Sequence, residues 1–327
     1  NPLSPNSFGN FEISTVLIKT SFSKSDENYS ETFKNFQDNR LIIAQRLAAL
    51  NGDSSGTVDE FGYPIGYGKN NQAVLIPSFL SAYSGKNAEN ISLNAITNNP
   101  LPNWSINYSG LINIDFLKER FKKFSLGHAY RSSYTLNNFK SNLEYNPSNT
   151  QLTDDSGNYI NEFLYTNIKL VEQFNPLLKI DMELNNSLQI VMSLKKDRAL
   201  SLSLDNNLLT ESNGTDYSIG LGYRIKDLKF TNRVGGKRRV SKGDLNIKTD
   251  LNFRDNITII RNLNIEDNKV TAGQKMWSLK TSADYNLSKS FNAIFFYDHL
   301  FSKFAISTAF PMTTIRAGMT LRYNFGE

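Results

Sequence analysis

From about residue 104 to the C-terminus, apolar and polar residues alternate along the chain. Leu178, Ile180, Met182 and Leu184 interleave with Lys179, Asp181, Glu183 and Asn185. Tyr217, Ile219, Leu221, Tyr223 and Ile225 interleave with Ser218, Gly220, Gly222, Arg224 and Lys226. The same holds for Leu245, Ile247, Leu251 and Phe253 against Asn246, Lys248, Asp250 and Asn252, and for Trp277, Leu279, Ala283 and Tyr285 against Ser278, Lys280, Ser282 and Asp284. It holds again at the end of the chain, where Ala317, Met319, Leu321, Tyr323 and Phe325 alternate with Arg316, Gly318, Thr320, Arg322 and Asn324. A period of two is that of a β-strand with one apolar and one polar face, and the pattern predicts about fourteen strands in near-continuous hairpin succession. The fold class predicted is all-β, a transmembrane antiparallel β-barrel.

The connections carry a second pattern. Tight links are predicted at 174–176, 195–198, 225–227, 254–256 and 287–290, and long ones at 141–158, 235–243, 266–274 and 301–312; the short link at Asn185–Asn186 breaks the rule. Two ends of different character are what a barrel with short periplasmic turns and long outer loops presents.

Residues 1–103 differ. The reading is a first barrel strand within 1–22, an extracellular insertion over 23–103, and barrel hairpins over 104–327 down to the C-terminal closing strand. The insertion carries a helix near 30–50, with Ser30 as N-cap, Phe33, Phe36, Ile43 and Leu47 near one face, and Gly52 past the end. A second helix near 77–84 is predicted, with Pro77 at its first position and Gly85 beyond it. The glycines of 61–70 do not have phosphate-loop spacing.

Composition adjusts this picture. The 327 residues have a mean hydropathy of -0.41 and 39% hydrophobic residues, with no apolar run near the length of a membrane helix. Strands that alternate average their hydropathy away, so a barrel stays open where a helix does not. The net charge is +5. Its one dense cluster, Lys237, Arg238, Arg239 and Lys242, reads as a solvated loop, and no nucleic-acid partner is expected. The chain has no cysteine, hence no disulfide framework. No signal peptide opens it, so it is read as a mature chain or a piece of a longer one.

A soluble sandwich alternates too. Lipid is favoured by the number of successive strands, by their length and by the placement of aromatics. Trp104 and Trp277 are assigned to an outer aromatic girdle, and Phe116, Phe174, Phe291 and Phe325 to an inner one. The polar face is assigned to a hydrated lumen: Lys179, Asp181, Glu183, Arg224, Lys248, Asp250, Lys280, Asp284, Arg316 and Arg322. Counting hairpins back from the C-terminus puts both chain ends in the periplasm and gives an even strand number. The ending Leu321, Tyr323, Phe325 resembles the signal by which barrel precursors are recognised for outer-membrane assembly.

Candidate chemistry is sparse. His128 and His299 lie on strands without a partner at metal-ligand spacing. No catalytic, cofactor-binding or metal-binding residue is assigned, no cofactor is expected, and the chain is read as a non-enzyme. An outer-membrane hydrolase would need a nucleophile and base converging from loops or lumen, and no such cluster is legible.

Several segments together carry a resemblance: "VLIPSFLSAYSGK" (74–86), "LPNWSINYSGL" (101–111), "SLGHAYRSSYTLNNF" (125–139), "LSLSLDNNLLTESNGTDYSIGLGYRIKDL" (200–228), "DNITIIRNL" (255–263) and "AISTAFPMTTIRAGMTLRYNFG" (305–326). They resemble the C-terminal part of the SprA/Sov outer-membrane translocon of the type IX secretion system of Bacteroidetes, which is also required for gliding motility. The resemblance covers most of 60–326 in order. It implies one very large barrel, of the size of the largest known, that exports folded cargo proteins. It implies as partners the remainder of the translocon polypeptide, a PorV-type shuttle protein, a periplasmic plug protein, a periplasmic prolyl isomerase, secreted cargo and outer-membrane lipid. This chain would then be part of a passive wall, and the insertion would belong to a cap over the pore. The alternative is an autonomous barrel of about fourteen strands for small solutes or hydrophobic ligands.

Overall fold

The computed structural model describes residues 7–52, 56–234, 237–265, 267–286, 291–306, 309–323 and 325; the side chains of 230–234, 237–239 and 241 lie outside that description. Most of the chain is one antiparallel sheet. Among the described residues it has eleven strands: β1 Phe8–Ser14, β2 Trp104–Tyr108, β3 Phe121–Ser141, β4 Phe163–Leu164, β5 Asn167–Leu184, β6 Leu188–Ser203, β7 Leu208–Val234, β8 Lys237–Asn262, β9 Asn268–Asn286, β10 Phe291–Phe304 and β11 Met312–Tyr323. Their spatial order is β1-β3-β5-β6-β7-β8-β9-β10-β11, with β2 and β4 also on β3. From β5 onward it is a meander in which each strand pairs with the next.

The strand number is lower than the predicted fourteen because the strands are longer. Every segment predicted as a tight turn lies inside a strand, save 287–290, which falls outside the described residues. The residues 195–198 are interior to β6, 225–227 to β7 and 254–256 to β8. Two of these sites are irregularities of the ladder: the register shifts between Phe174 and Leu178 and between Ile225 and Leu228. Asp227, at φ 50, supplies the left-handed residue of the second, and its N–H donates to Asp244 Oδ1 at 3.1 Å. Polar residues inside an apolar alternation imitate turns in sequence; here neighbouring strands complete their hydrogen bonds. The segments 235–243 and 266–274, predicted as long loops, fall mostly into β8 and β9. The chain links at the end that holds Tyr323 are 109–120, 185–187, 235–236 and 287–290, and those at the other end are 142–162, 204–207, 263–267 and 305–311; the twelve residues of 109–120 break the predicted sorting into a short and a long end. The basic cluster Lys237, Arg238 and Arg239 is strand backbone rather than loop, with side chains outside the description, and Lys242 is exposed.

β1 and β2 occupy one edge position. Both pair with β3, with Ser14 opposite Ser133 and Trp104 opposite Tyr130. Between them the chain leaves the sheet at Thr15, earlier than residue 23, and returns at Leu101–Asn103. The exit and return are stitched: Thr15 N donates to Ser132 O at 3.1 Å, Leu101 N to Ser14 O at 3.1 Å, and Ser132 N to Asn103 Oδ1 at 2.8 Å. The edge position therefore runs in one direction, from Phe8 beside Lys140 to Tyr108 beside Leu126.

The excursion contains α1 Glu31–Leu50 and α2 Gln72–Ser84. Ser30 caps α1, its Oγ accepting from Phe33 N at 3.3 Å, and Phe33, Phe36, Ile43 and Ala44 are its buried stripe. α2 starts five residues before the predicted position, so Pro77 is interior. Asn71 caps it, accepting from Ala73 N at 2.8 Å, and Gly85 ends it at φ 66. A proline here forfeits one helix hydrogen bond, about 3 kcal/mol in an exposed helix. Burial of Val74, Leu75, Ile76, Phe79 and Tyr83 on several sides of α2 outweighs that loss. A short helix α3, Asp115–Lys118, precedes β3.

Candidate functional site

The two faces of the sheet follow from the registers. Leu194, Tyr217, Phe253, Trp277 and Phe301 form one cross-strand row; Met192, Ile219, Leu251, Leu279, His299 and Ile315 form the next. Further rows, through Leu221, Tyr223 and Ile225 of β7, complete an apolar band on one face. The opposite face carries Ser218, Gly220, Gly222 and Arg224.

The apolar face is as open to solvent as the polar one, on which Arg224, Lys248, Asp250 and Lys280 are exposed. Tyr217, Ile219, Leu221 and Tyr223 are 50%, 42%, 43% and 40% exposed, whereas Ser218, Gly220 and Gly222 between them are only partly exposed. Leu178, Leu251, Phe253, Phe295, Ile315, Met319 and Leu321 are exposed on the same apolar face. So large a continuous apolar surface is what an interaction with lipid or protein uses. Tyr217 to Ile225 is nine residues, roughly 19 Å of height at about 3.3 Å per residue and a tilt near 45°.

All ten residues assigned to the lumen lie on the polar face. Asp250, Lys280, Asp298 and Arg316 stand directly opposite one another on β8, β9, β10 and β11, a row of alternating sign. Arg316 Nη2 donates to Asp298 Oδ2 at 2.8 Å, and Lys123 Nζ to Asp181 Oδ2 at 2.6 Å. Asp298 and Lys123 were not singled out from sequence. The polar side chains lie down across small neighbours: a Cβ on Gly220 would meet Asp250 Oδ1 at 2.9 Å, and one on Gly318 would meet the Phe296 ring at 2.7 Å. That ring covering a strand glycine accounts for one of the few aromatics on the polar face.

The aromatic positions divide differently from the prediction at one point. Trp104 stacks on Tyr130 at 4.7 Å, and Tyr130 meets Phe174 at 4.9 Å, so Phe174 belongs with Trp104 rather than at the opposite end. The prediction failed because 174–176 is a bulge and not a turn. Trp277 lies level with Tyr217, Phe253 and Phe301, whereas Phe116 and Phe291 lie toward the end that holds Tyr323. Tyr323 contacts both Phe291, at 6.3 Å, and Phe325, at 4.7 Å.

The excursion docks on the apolar face, at the end of the sheet away from Tyr323. Leu17, Phe33, Phe36, Leu75, Phe79 and Tyr83 pack on Tyr134, Leu136, Ile168, Leu170, Leu200, Leu202, Leu209 and Leu263. Leu209 and Tyr217 share a parity on β7, so helices and apolar band share a face. The docking is fastened by two buried ion pairs, Arg198 to Glu172 and Arg261 to Glu211, each 3.0 Å. Glu172 also accepts from Ser21 Oγ at 2.6 Å and Tyr130 OH at 2.8 Å. Arg198 donates to Thr20 O at 2.9 Å, and Arg261 donates to Asp26 O at 2.7 Å. Sequence reasoning passed over these four residues. Their signal was a charge on the apolar parity: Glu172 follows Leu170, Arg198 precedes Leu200, Glu211 follows Leu209, and Arg261 follows Ile259.

The start of β1 and the end of β11 do not lie at one end of the sheet. Phe8 is beside Lys140, and Tyr323 is beside Phe291, at opposite ends. The cause is the strand number: β1 and β2 share one position, which leaves nine positions across the sheet instead of an even number. The outermost strands, β1–β2 and β11, consequently run in the same direction, and every residue of β11 is exposed.

His128 Nδ1 is 2.7 Å from Leu177 O, in the bulge, and His299 packs 4.5 Å from Trp277. No cluster of three or more His, Cys, Asp or Glu suited to a metal occurs among the described residues. No helix of the described residues is long and apolar enough to cross a membrane, which leaves crossing by strands untouched. No protein-family model matches the chain, and no curated protein matches it.

Proposed function

We propose that this chain is a segment of the wall of a transmembrane β-barrel in the bacterial outer membrane. The observation that carries this reading is the exposed apolar band. An apolar band of roughly 19 Å between its end residues faces outward across successive strands, most of the apolar height of about 25 Å of outer-membrane barrels. The opposite face, with its solvated charges of both signs, lines a hydrated interior. Trp104, Phe174 and Trp277 are the aromatics of the outer interface, and Phe116, Phe291, Tyr323 and Phe325 those of the inner. The end bearing Tyr323 is periplasmic, and Leu321, Tyr323 and Phe325 act as the assembly signal.

Nine positions with parallel outer strands favour a segment over an autonomous barrel. Closing this sheet on itself would need a parallel β1–β11 pair, and leaving it open would expose two unpaired edges to lipid. Further strands must therefore flank both edges. With the resemblance in sequence, this supports a part of a SprA/Sov-type protein-conducting translocon for folded cargo, used in type IX secretion and gliding motility. The remainder of the translocon polypeptide supplies the flanking strands. The shuttle, plug and prolyl-isomerase partners come with that reading, and the wall performs no chemistry. The experiment is the mass of the native species in mild detergent, detected through residues 313–327. A complex or polypeptide several times the size of this chain is expected; a lone barrel of 37.0 kDa would overturn the translocon reading.

A further inference from the structure

The row of the apolar face next to the aromatic row Tyr217–Phe253–Trp277–Phe301 is charged. It contains Lys196, Thr215, Asp255, Lys275 and Lys303, directly opposite one another in that order. Lys275 and Lys303 are exposed and face each other on β9 and β10. Like charges at directly opposite positions destabilise a sheet unless an anion lies between them. Asp255 takes up one of the two, 3.1 Å from Lys275 Nζ, and Lys303 has no ion pair among the described residues. Immediately toward the band, Trp277 and Phe301 stack at 6.2 Å. Cations beside stacked aromatics at the edge of an apolar band match a lipid molecule at its own boundary: phosphate above, acyl chains below.

We propose that Lys275 and Lys303 bind the phosphate of a phosphorylated lipid headgroup at the outer rim of the wall, with Trp277 and Phe301 packing its acyl chains. The inference rests on the membrane reading above. The full chain in its native complex is placed in phosphatidylcholine nanodiscs with diphosphoryl lipid A as a minor component, and a benzophenone amino acid replaces Thr313, the residue opposite Phe301. Photo-crosslinking is expected to capture lipid A well above its share of the lipid. Lys275→Gln and Lys303→Gln should each lower that enrichment about fivefold, and added inorganic phosphate should leave it unchanged. Capture of lipid in proportion to its abundance would overturn the site while leaving the membrane reading standing. Competition by inorganic phosphate would overturn the lipid headgroup as its ligand. Capture of no lipid at all would overturn both the site and the membrane reading.

Discussion

Arg316 on the edge strand β11 donates to Asp298 on β10 at 2.8 Å, and Asp298 stands opposite Lys280, which stands opposite Asp250. The row makes the polar face internally compensated and ends on a cation at an open edge. Both partners of the pair keep substantial contact with solvent, so its strength is that of an exposed pair, about 0–1 kcal/mol. Asp298→Ala is expected to change stability in membranes by no more than about 1 kcal/mol. By contrast Leu221→Arg, on the other face at mid-band, is expected to cost about 2–4 kcal/mol. Denaturant unfolding of the reconstituted protein measures both; equal costs would contradict the assignment of faces.

The buried pairs behave differently. Glu211→Ala leaves the Arg261 guanidinium buried without its carboxylate, which costs about 3–5 kcal/mol. Most of that falls on the docking of 20–50, because Arg261 also holds Asp26 O and Ser25. Limited proteolysis is expected to cut within 24–50 in Glu211→Ala under conditions where the parent chain resists. The double variant Glu211→Leu with Arg261→Met should restore much of the protection, since it removes both charges.

A pH dependence attaches to the same segment. The backbone N–H groups of Tyr29 and Asn28 donate to Asp26 and hold its carboxyl below the ordinary value of 3.8, with Lys24 adding to the effect. A carboxyl lowered in the folded state stabilises above its unfolded pKa and loses that contribution as pH falls through the folded one. Protease sensitivity of 24–30 is therefore expected to rise below about pH 4, and Asp26→Asn should flatten that rise.

At the C-terminus, Tyr323 bridges Phe291 and Phe325. Tyr323→Ala and Phe325→Ala are expected to lower the amount of assembled protein in outer membranes without lowering synthesis, with Phe325→Trp retaining most of it. Unchanged assembly in both alanine variants would remove the signal role from these residues.

The face pattern was legible in the sequence because alternation is unbroken over Tyr217–Ile225 of β7 and Leu245–Phe253 of β8. Tyr217, Leu251 and Trp277 sit on the apolar face and Lys248, Asp250 and Lys280 on the polar one, as parity alone requires. Strand ends were not legible. Asp197–Arg198 and Asp255–Asn256 look like turns in one dimension, and only the partners Glu172, Asn213 and Gln274 across the sheet explain them. α1 was legible from its cap and stripe. Its docking site was not, since Arg261 meets Asp26 across a sequence separation of 235 residues. The strand number and the location of Phe8 failed together, through one cause. No local pattern marks that β1 and β2 share an edge position.

The most direct test is a single-cysteine scan of residues 217–225 in intact outer membranes, in a chain that has no cysteine of its own. A membrane-impermeant but pore-permeant maleimide is expected to label positions 218, 220, 222 and 224 and to leave 217, 219, 221, 223 and 225 unlabelled, while a lipid-dissolved reagent does the reverse. Labelling of the odd positions by the aqueous reagent would contradict a lipid-facing band and with it the wall.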